Sequence, residues 1–144
     1  MSDAAELALR AALIGARATA LSDLWGMLVA RVTGVPGLDY RLIGRWLGHM
    51  PRGWVAHYAI GIAFAAILLA IWGLDWARRP TPGPAILVGV ATLAAPFFIM
   101  QPAFGAGIAA SRRPRPNIAR LRSLALHLVF GVGLYLSALV TARA

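Results

Sequence analysis

Asp23, His57, Gln101 and His127 are the residues of this chain whose types could do chemistry, and each falls within an apolar stretch. Ionisable side chains are costly in such surroundings, so they are a functional hypothesis by default. Asp23 precedes Arg31 by about 12 Å of helix rise. Its helical neighbours Gly15, Ala16, Thr19, Gly26, Met27 and Ala30 are nearly all small or polar, as helix–helix interfaces in a membrane require. Asp23 therefore looks inward. His57-Tyr58-Ala59-Ile60-Gly61 parallels His127-Leu128-Val129-Phe130-Gly131, a histidine followed one turn later by a glycine in both. Gln101 reaches the same level from the third stretch. One polar residue from each of four elements is thus expected at a common depth, with Tyr58 and Tyr135 contributing hydroxyls.

Several chemistries suit this set. A carboxylate with two imidazoles can bind a proton, an ion or a small polar solute. His57 and His127 on parallel helices, with glycines for close porphyrin approach, suit bis-histidine haem ligation in a redox protein. Asp23 with both histidines has the ligand types of a zinc or other divalent site. The plainer alternative is structural: Asp23 pairs with a histidine and glues the helices, and the histidines bond carbonyls or lipid phosphates. Enzymatic readings are poorer. No cysteine is present, which excludes thiolate catalysis and Cys-ligated metals. Ser111 and Ser123 have no paired base at a recognisable spacing, which leaves only Asp–His chemistry on a lipid. The expectation is a non-enzymatic protein.

The elements that must position these residues are four apolar stretches, roughly 7–32, 54–76, 85–104 and 124–140. Each approaches the ~20 residues a helix needs to cross a hydrocarbon core. The 144 residues are 60% hydrophobic and 13% charged, more apolar surface than a soluble domain of this size can hide. The expected fold is all-α: a single four-helix transmembrane bundle, residues 1–144. The first stretch is too long for a signal-peptide core and is interrupted by Arg10 and Arg17, so it is expected to be retained.

All 14 basic residues are arginine and the net charge is +9. Because the arginines flank the spans, anionic lipid headgroups are the partner they suggest, not nucleic acid. Nine of them fall in or beside the first and third loops, and five at the opposite side or in span one. The positive-inside rule makes both long loops cytoplasmic and both termini periplasmic, in a bacterial inner membrane.

Between Gly37 and Pro51, Arg41, Arg45 and His49 alternate with Leu42, Ile43, Trp46, Leu47 and Met50 at helical spacing. This predicts a short amphipathic helix in the headgroup layer, with Arg41, Arg45 and Trp46 as anchors. In the third loop, Arg112-Arg113-Pro114-Arg115-Pro116 cannot continue a helix and predicts an extended basic strap, its arginines Arg112, Arg113 and Arg115 facing headgroups. Ser111 or Asn117 is a candidate cap beside it. Pro96 should kink span three. Arg17, in the outer half of span one, is expected to snorkel outward or to meet Asp75.

Gly44-Arg45-Trp46-Leu47-Gly48-His49-Met50, Trp54-Val55-Ala56-His57-Tyr58-Ala59-Ile60-Gly61, Met100-Gln101-Pro102 and His127-Leu128-Val129-Phe130-Gly131-Val132-Gly133-Leu134-Tyr135 carry a resemblance over nearly the whole chain. The sequence resembles a family of small bacterial inner-membrane proteins known as a domain of unknown function. The resemblance implies a four-span bacterial membrane protein and no activity. The resemblance also implies relatives with a longer first cytoplasmic loop between the Arg52-Gly53 and Trp54 positions, and with a small residue where Arg17 stands. A homo-oligomer is expected, since four short helices enclose little volume.

Overall fold

The computed structural model describes residues 1–34 and 50–143. The expected amphipathic helix, with Arg41, Arg45, Trp46 and His49, lies outside the described residues except for its last two positions. Four helices are long and apolar enough to cross a membrane: α1 (Asp3–Thr33), α2 (Met50–Arg78), α3 (Pro82–Ala103) and α4 (Pro116–Arg143). The described residues contain no strand. The fold is an all-α bundle, as the hydropathy implies, and the helices overrun the predicted stretches at most ends.

Each helix starts and stops for local reasons. Ser2 caps α1, its hydroxyl accepting from the Ala5 N–H, and Asp3 and Glu6 place negative charge on the first turn. Gly34 ends α1 in the left-handed conformation, φ 67°, its N–H reaching Ala30 O. A tight turn after Arg78 leads into α3, whose first turn carries Pro82 and Pro84, where a missing N–H costs nothing.

Two interruptions have different causes. Pro96 removes a backbone donor, and around it the chain departs from α geometry. Leu93 and Ala95 bond three residues back, to Val90 O and Thr92 O, and Pro96–Met100 winds as a π-helix. The second lies at Gly73 in α2, where φ 74° and ψ 176° break the helical path. Only a glycine takes that conformation without strain.

Packing follows small residues. α1 lies between α2 and α4, and α3 packs on the other side of α4. A Cβ at Gly15 would lie 2.5 Å from Ile62 Cα, and one at Gly89 would lie 2.5 Å from Gly131 Cα. At Gly133 it would lie 2.9 Å from Ala18 Cα. Backbones therefore touch at α1–α2, α3–α4 and α1–α4, the close approach that drives association where no hydrophobic effect operates between helices. Ile14, Leu68, Leu69 and Leu134 fill the remaining interior, and Phe64 meets Phe130 edge-on at 6.3 Å. Met27, Ile71, Leu87, Phe98 and Ile99 are exposed, a surface that only lipid satisfies.

The third loop corrects the expected extended strap. Gly105–Ser111 is coiled, with a 3₁₀ turn at Ile108–Ala110 and the Arg112 N–H closing back on Ala106 O. Only 112–115 leads on as an exposed connection. Ala109 (φ 48°) and Ala110 (φ 60°) are left-handed, a strain of about 1–3 kcal/mol each for a residue with a Cβ. Arg120 holds them by donating from Nε to Ala109 O at 2.8 Å, while its Nη1 donates to Asn117 Oδ1.

Candidate functional site

The site begins with two close helix approaches. Gly15 lets α1 settle on the backbone of α2 at Gly61 and Ile62, and a side chain at Gly61 would collide with Thr19. Thr19 is kept on that surface by returning its hydroxyl to Gly15 O. Asp23 lies one turn further along α1, and His57 one turn earlier on antiparallel α2, so both fall on the same side of this contact. Asp23 Oδ1 and His57 Nε2 stand 3.0 Å apart. Their side chains are 10% and 23% exposed, so the pair is shielded but not sealed.

Aromatic rings line its α2 side. The Tyr58 ring stands edge-on to His57 at 5.7 Å, and Trp54 contacts both, at 6.5 Å. Asp23, His57 and Tyr58 thus form one polar cluster between two spans.

The second half of the chain repeats the device with other chemistry. Gly89 rests on Gly131, and one turn earlier on α4 His127 Nδ1 meets Thr92 Oγ1 of α3 at 2.8 Å. Thr92 Oγ1 also donates to Gly89 O at 2.7 Å, so the hydroxyl proton is spent there and His127 Nδ1 carries the hydrogen of the shared contact. In both halves a glycine-to-glycine-level approach stands one turn from a histidine, and the preceding helix supplies its partner. That partner is ionisable in the first half and neutral in the second.

Gln101 is placed with neither histidine. Its Nε2 donates to Ser123 Oγ at 3.4 Å, and its Oε1 is buried without a hydrogen-bond partner. Tyr135 packs against the apolar core. The six sequence-selected residues therefore divide into an Asp23–His57–Tyr58 cluster, His127 with Thr92, Gln101 with Ser123, and Tyr135 in the core. Thr92 and Ser123 escape sequence reasoning because small hydroxyl residues in an apolar run read as packing. Among the described residues, no three His, Asp or Glu side chains gather as ligands for a metal ion.

Arg17 pairs with Thr141 and not with Asp75. Its Nη1 donates to Thr141 Oγ1 at 3.1 Å, while Asp75 lies 3.8 Å from Arg78. Arg10 also reaches the far ends of the bundle, donating to Ala77 O and Thr141 O, while its Nε pairs with Glu6 at 2.8 Å.

No curated protein and no solved structure matches the chain. A family model does match, over residues 12–53 and 50–141. With four spans in place and nearly all of its length matched, the chain is a multi-pass membrane protein and belongs to the family described as protein of unknown function (DUF2938).

Proposed function

We propose that the Asp23–His57 pair is a protonation site through which this membrane protein binds and passes a proton, or a small solute that travels with one. The observation that carries the reading is the 3.0 Å contact between a carboxylate and an imidazole on two different spans. Such a pair shares an exchangeable proton, and it lies where a net charge is costly, so its proton occupancy responds to anything that moves the two helices. Tyr58 beside it offers a hydroxyl able to extend a proton path.

The pairing favours proton handling over haem. Ligation through His57 Nε2 would break the contact with Asp23. The distribution of arginines supports a bacterial inner membrane with both termini periplasmic and the arginine-rich loops on anionic headgroups. The small enclosed volume favours a homo-oligomer as the working unit.

Proteoliposomes carrying a pH-sensitive dye and an imposed potential test the proposal. Purified full-length protein is expected to collapse the pH difference faster than empty vesicles. Asp23→Asn should return the rate to that of empty vesicles, and Asp23→Glu should restore part of it. Wild-type protein that leaves the rate unchanged, or an Asp23→Asn variant that conducts as wild type, would refute the reading.

A further inference from the structure

After Asp75 the chain contains no acidic residue, yet it carries eight arginines, five of them between Arg112 and Arg122. Among those five, only Arg120 has a side-chain hydrogen bond within the described residues, and both its partners, Ala109 O and Asn117 Oδ1, are neutral. The positive charge of this loop is therefore not balanced from within the described chain. Beside it lies a cleft of about 300 Å³ lined by Pro102, Gly107, Ile108, Ser111 and Arg112. Its shape depends on the coiled backbone of 105–111. Gly107 is left-handed, φ 74°, and a Cβ there would strike Ser111 Oγ and lie 3.0 Å from Arg112 Cγ. The bare backbone at Gly107 is what lets a hydroxyl and a guanidinium stem come together at one rim. The two left-handed alanines that follow show that the chain accepts strain to hold this turn, a pattern found at ligand clamps.

We propose that this cleft binds a phosphate oxyanion, held by the Arg112 guanidinium and the Ser111 hydroxyl, with Arg113 and Arg115 supplying further positive charge. A guanidinium matches phosphate oxygens with two parallel hydrogen bonds, and a serine hydroxyl donates a third. The opposite lining is apolar. Pro102 ends the third span, and Ile108 is exposed at the cleft, as is Phe104 nearby. A ligand with a phosphate at one end and hydrocarbon at the other, the headgroup region of an anionic phospholipid, fits both linings. Free phosphate shares only the first. This site lies at the third loop and is independent of the Asp23–His57 pair.

The test uses full-length protein in a neutral maltoside micelle, titrated by calorimetry with dihexanoyl phosphatidylglycerol and, separately, with inorganic phosphate. Saturable binding of one equivalent is expected, weakened about tenfold or more by Arg112→Gln and measurably by Ser111→Ala. Circular dichroism checks that each variant keeps its helices, and Ser111→Ala keeps the test valid should Arg112→Gln misfold. Binding of phosphatidylglycerol but not phosphate assigns the ligand to lipid, and comparable binding of both assigns it to free phosphate. Either supports an oxyanion site. Absence of saturable binding by both probes overturns it. So does an equal loss in Arg112→Gln and Arg122→Gln, because general loop charge would then account for the effect.

Discussion

Asp23 Oδ1 and His57 Nε2 meet at 3.0 Å across the first two spans, two turns along α1 from Gly15 and one turn along α2 from Gly61, where the same two backbones come together. The two features depend on each other. Without the close backbone approach, an aspartate and a histidine on antiparallel helices would need water or lipid headgroups between them. Without the polar pair, each ionisable group would lose a compensating contact inside an apolar layer. The corresponding contact in the second half, Thr92 with His127 beside Gly89 and Gly131, keeps the geometry and drops the charge. One histidine is thus set beside a carboxylate, and the other is held by neutral partners.

The first prediction concerns the strength of that pair. A double-mutant cycle of Asp23→Asn and His57→Leu, read from unfolding in mixed micelles, should give a coupling of about 1–2 kcal/mol. Interhelical polar contacts in membranes reach about 1.7 kcal/mol and average less, and this one joins two ionisable groups shielded from solvent. Coupling indistinguishable from zero would show that the two side chains do not act on each other.

The second prediction separates glycines that touch a backbone from those that do not. Gly15→Leu and Gly89→Leu force a side chain into a neighbouring helix and should each destabilise the protein by about 2–3 kcal/mol. Gly26 has open space where a Cβ would stand, so Gly26→Ala should be neutral or stabilise by about 0.5–1 kcal/mol. The same unfolding measurement reads all three. A Gly26→Ala variant as damaged as Gly15→Leu would mean that the α1 face near Asp23 is packed against something else.

Much of this arrangement was legible in the sequence, and the misses have physical causes. The spans are visible because a helix crossing hydrocarbon must be apolar all round, and that survives in composition alone. Asp23 and His57 could be matched because each is one costly residue at a calculable depth. Thr92 could not be matched to His127, since a threonine in a span satisfies itself by bonding its own helix, as it also does here to Gly89 O. The partner of Arg17 was hidden for another reason: Thr141 lies 124 positions away, and no local spacing points to it. The glycine- and arginine-rich third loop showed that the helix stops. It did not show that Ala109 and Ala110 would turn left-handed, because the holding contact comes from Arg120 in the next helix.

The third prediction concerns the outer end. The last carbonyls of α2 and α4 are helix C-termini with partial negative charge, and Arg10 donates to Ala77 O and Thr141 O there. Arg17 adds a contact to Thr141 Oγ1. Arg10→Met should therefore loosen three helices at once and lower the Tm by several degrees, more than Arg143→Met, whose side chain is at the exposed end of α4. Equal shifts for the two variants would make the Arg10 contacts incidental.

The fourth prediction decides which way the bundle faces, and the chain suits the measurement because it has no cysteine to give background labelling. Four spans put both termini on one side together with the turn at Thr81, and the third loop on the other. Single substitutions Ser2→Cys and Thr81→Cys should react with a membrane-impermeant maleimide once the outer membrane is opened, while Ser111→Cys and Arg113→Cys should react only after lysis. All four positions are exposed on the protein, so a failure to label reports the membrane and not burial. The arginine excess at the third loop is the ground for expecting this orientation, since positively charged loops resist transfer out of the cytoplasm. The reverse labelling pattern would invert the bundle. It would also put the Arg112 cleft on the periplasmic side, where it would meet the outer leaflet's headgroups instead of cytoplasmic phosphate.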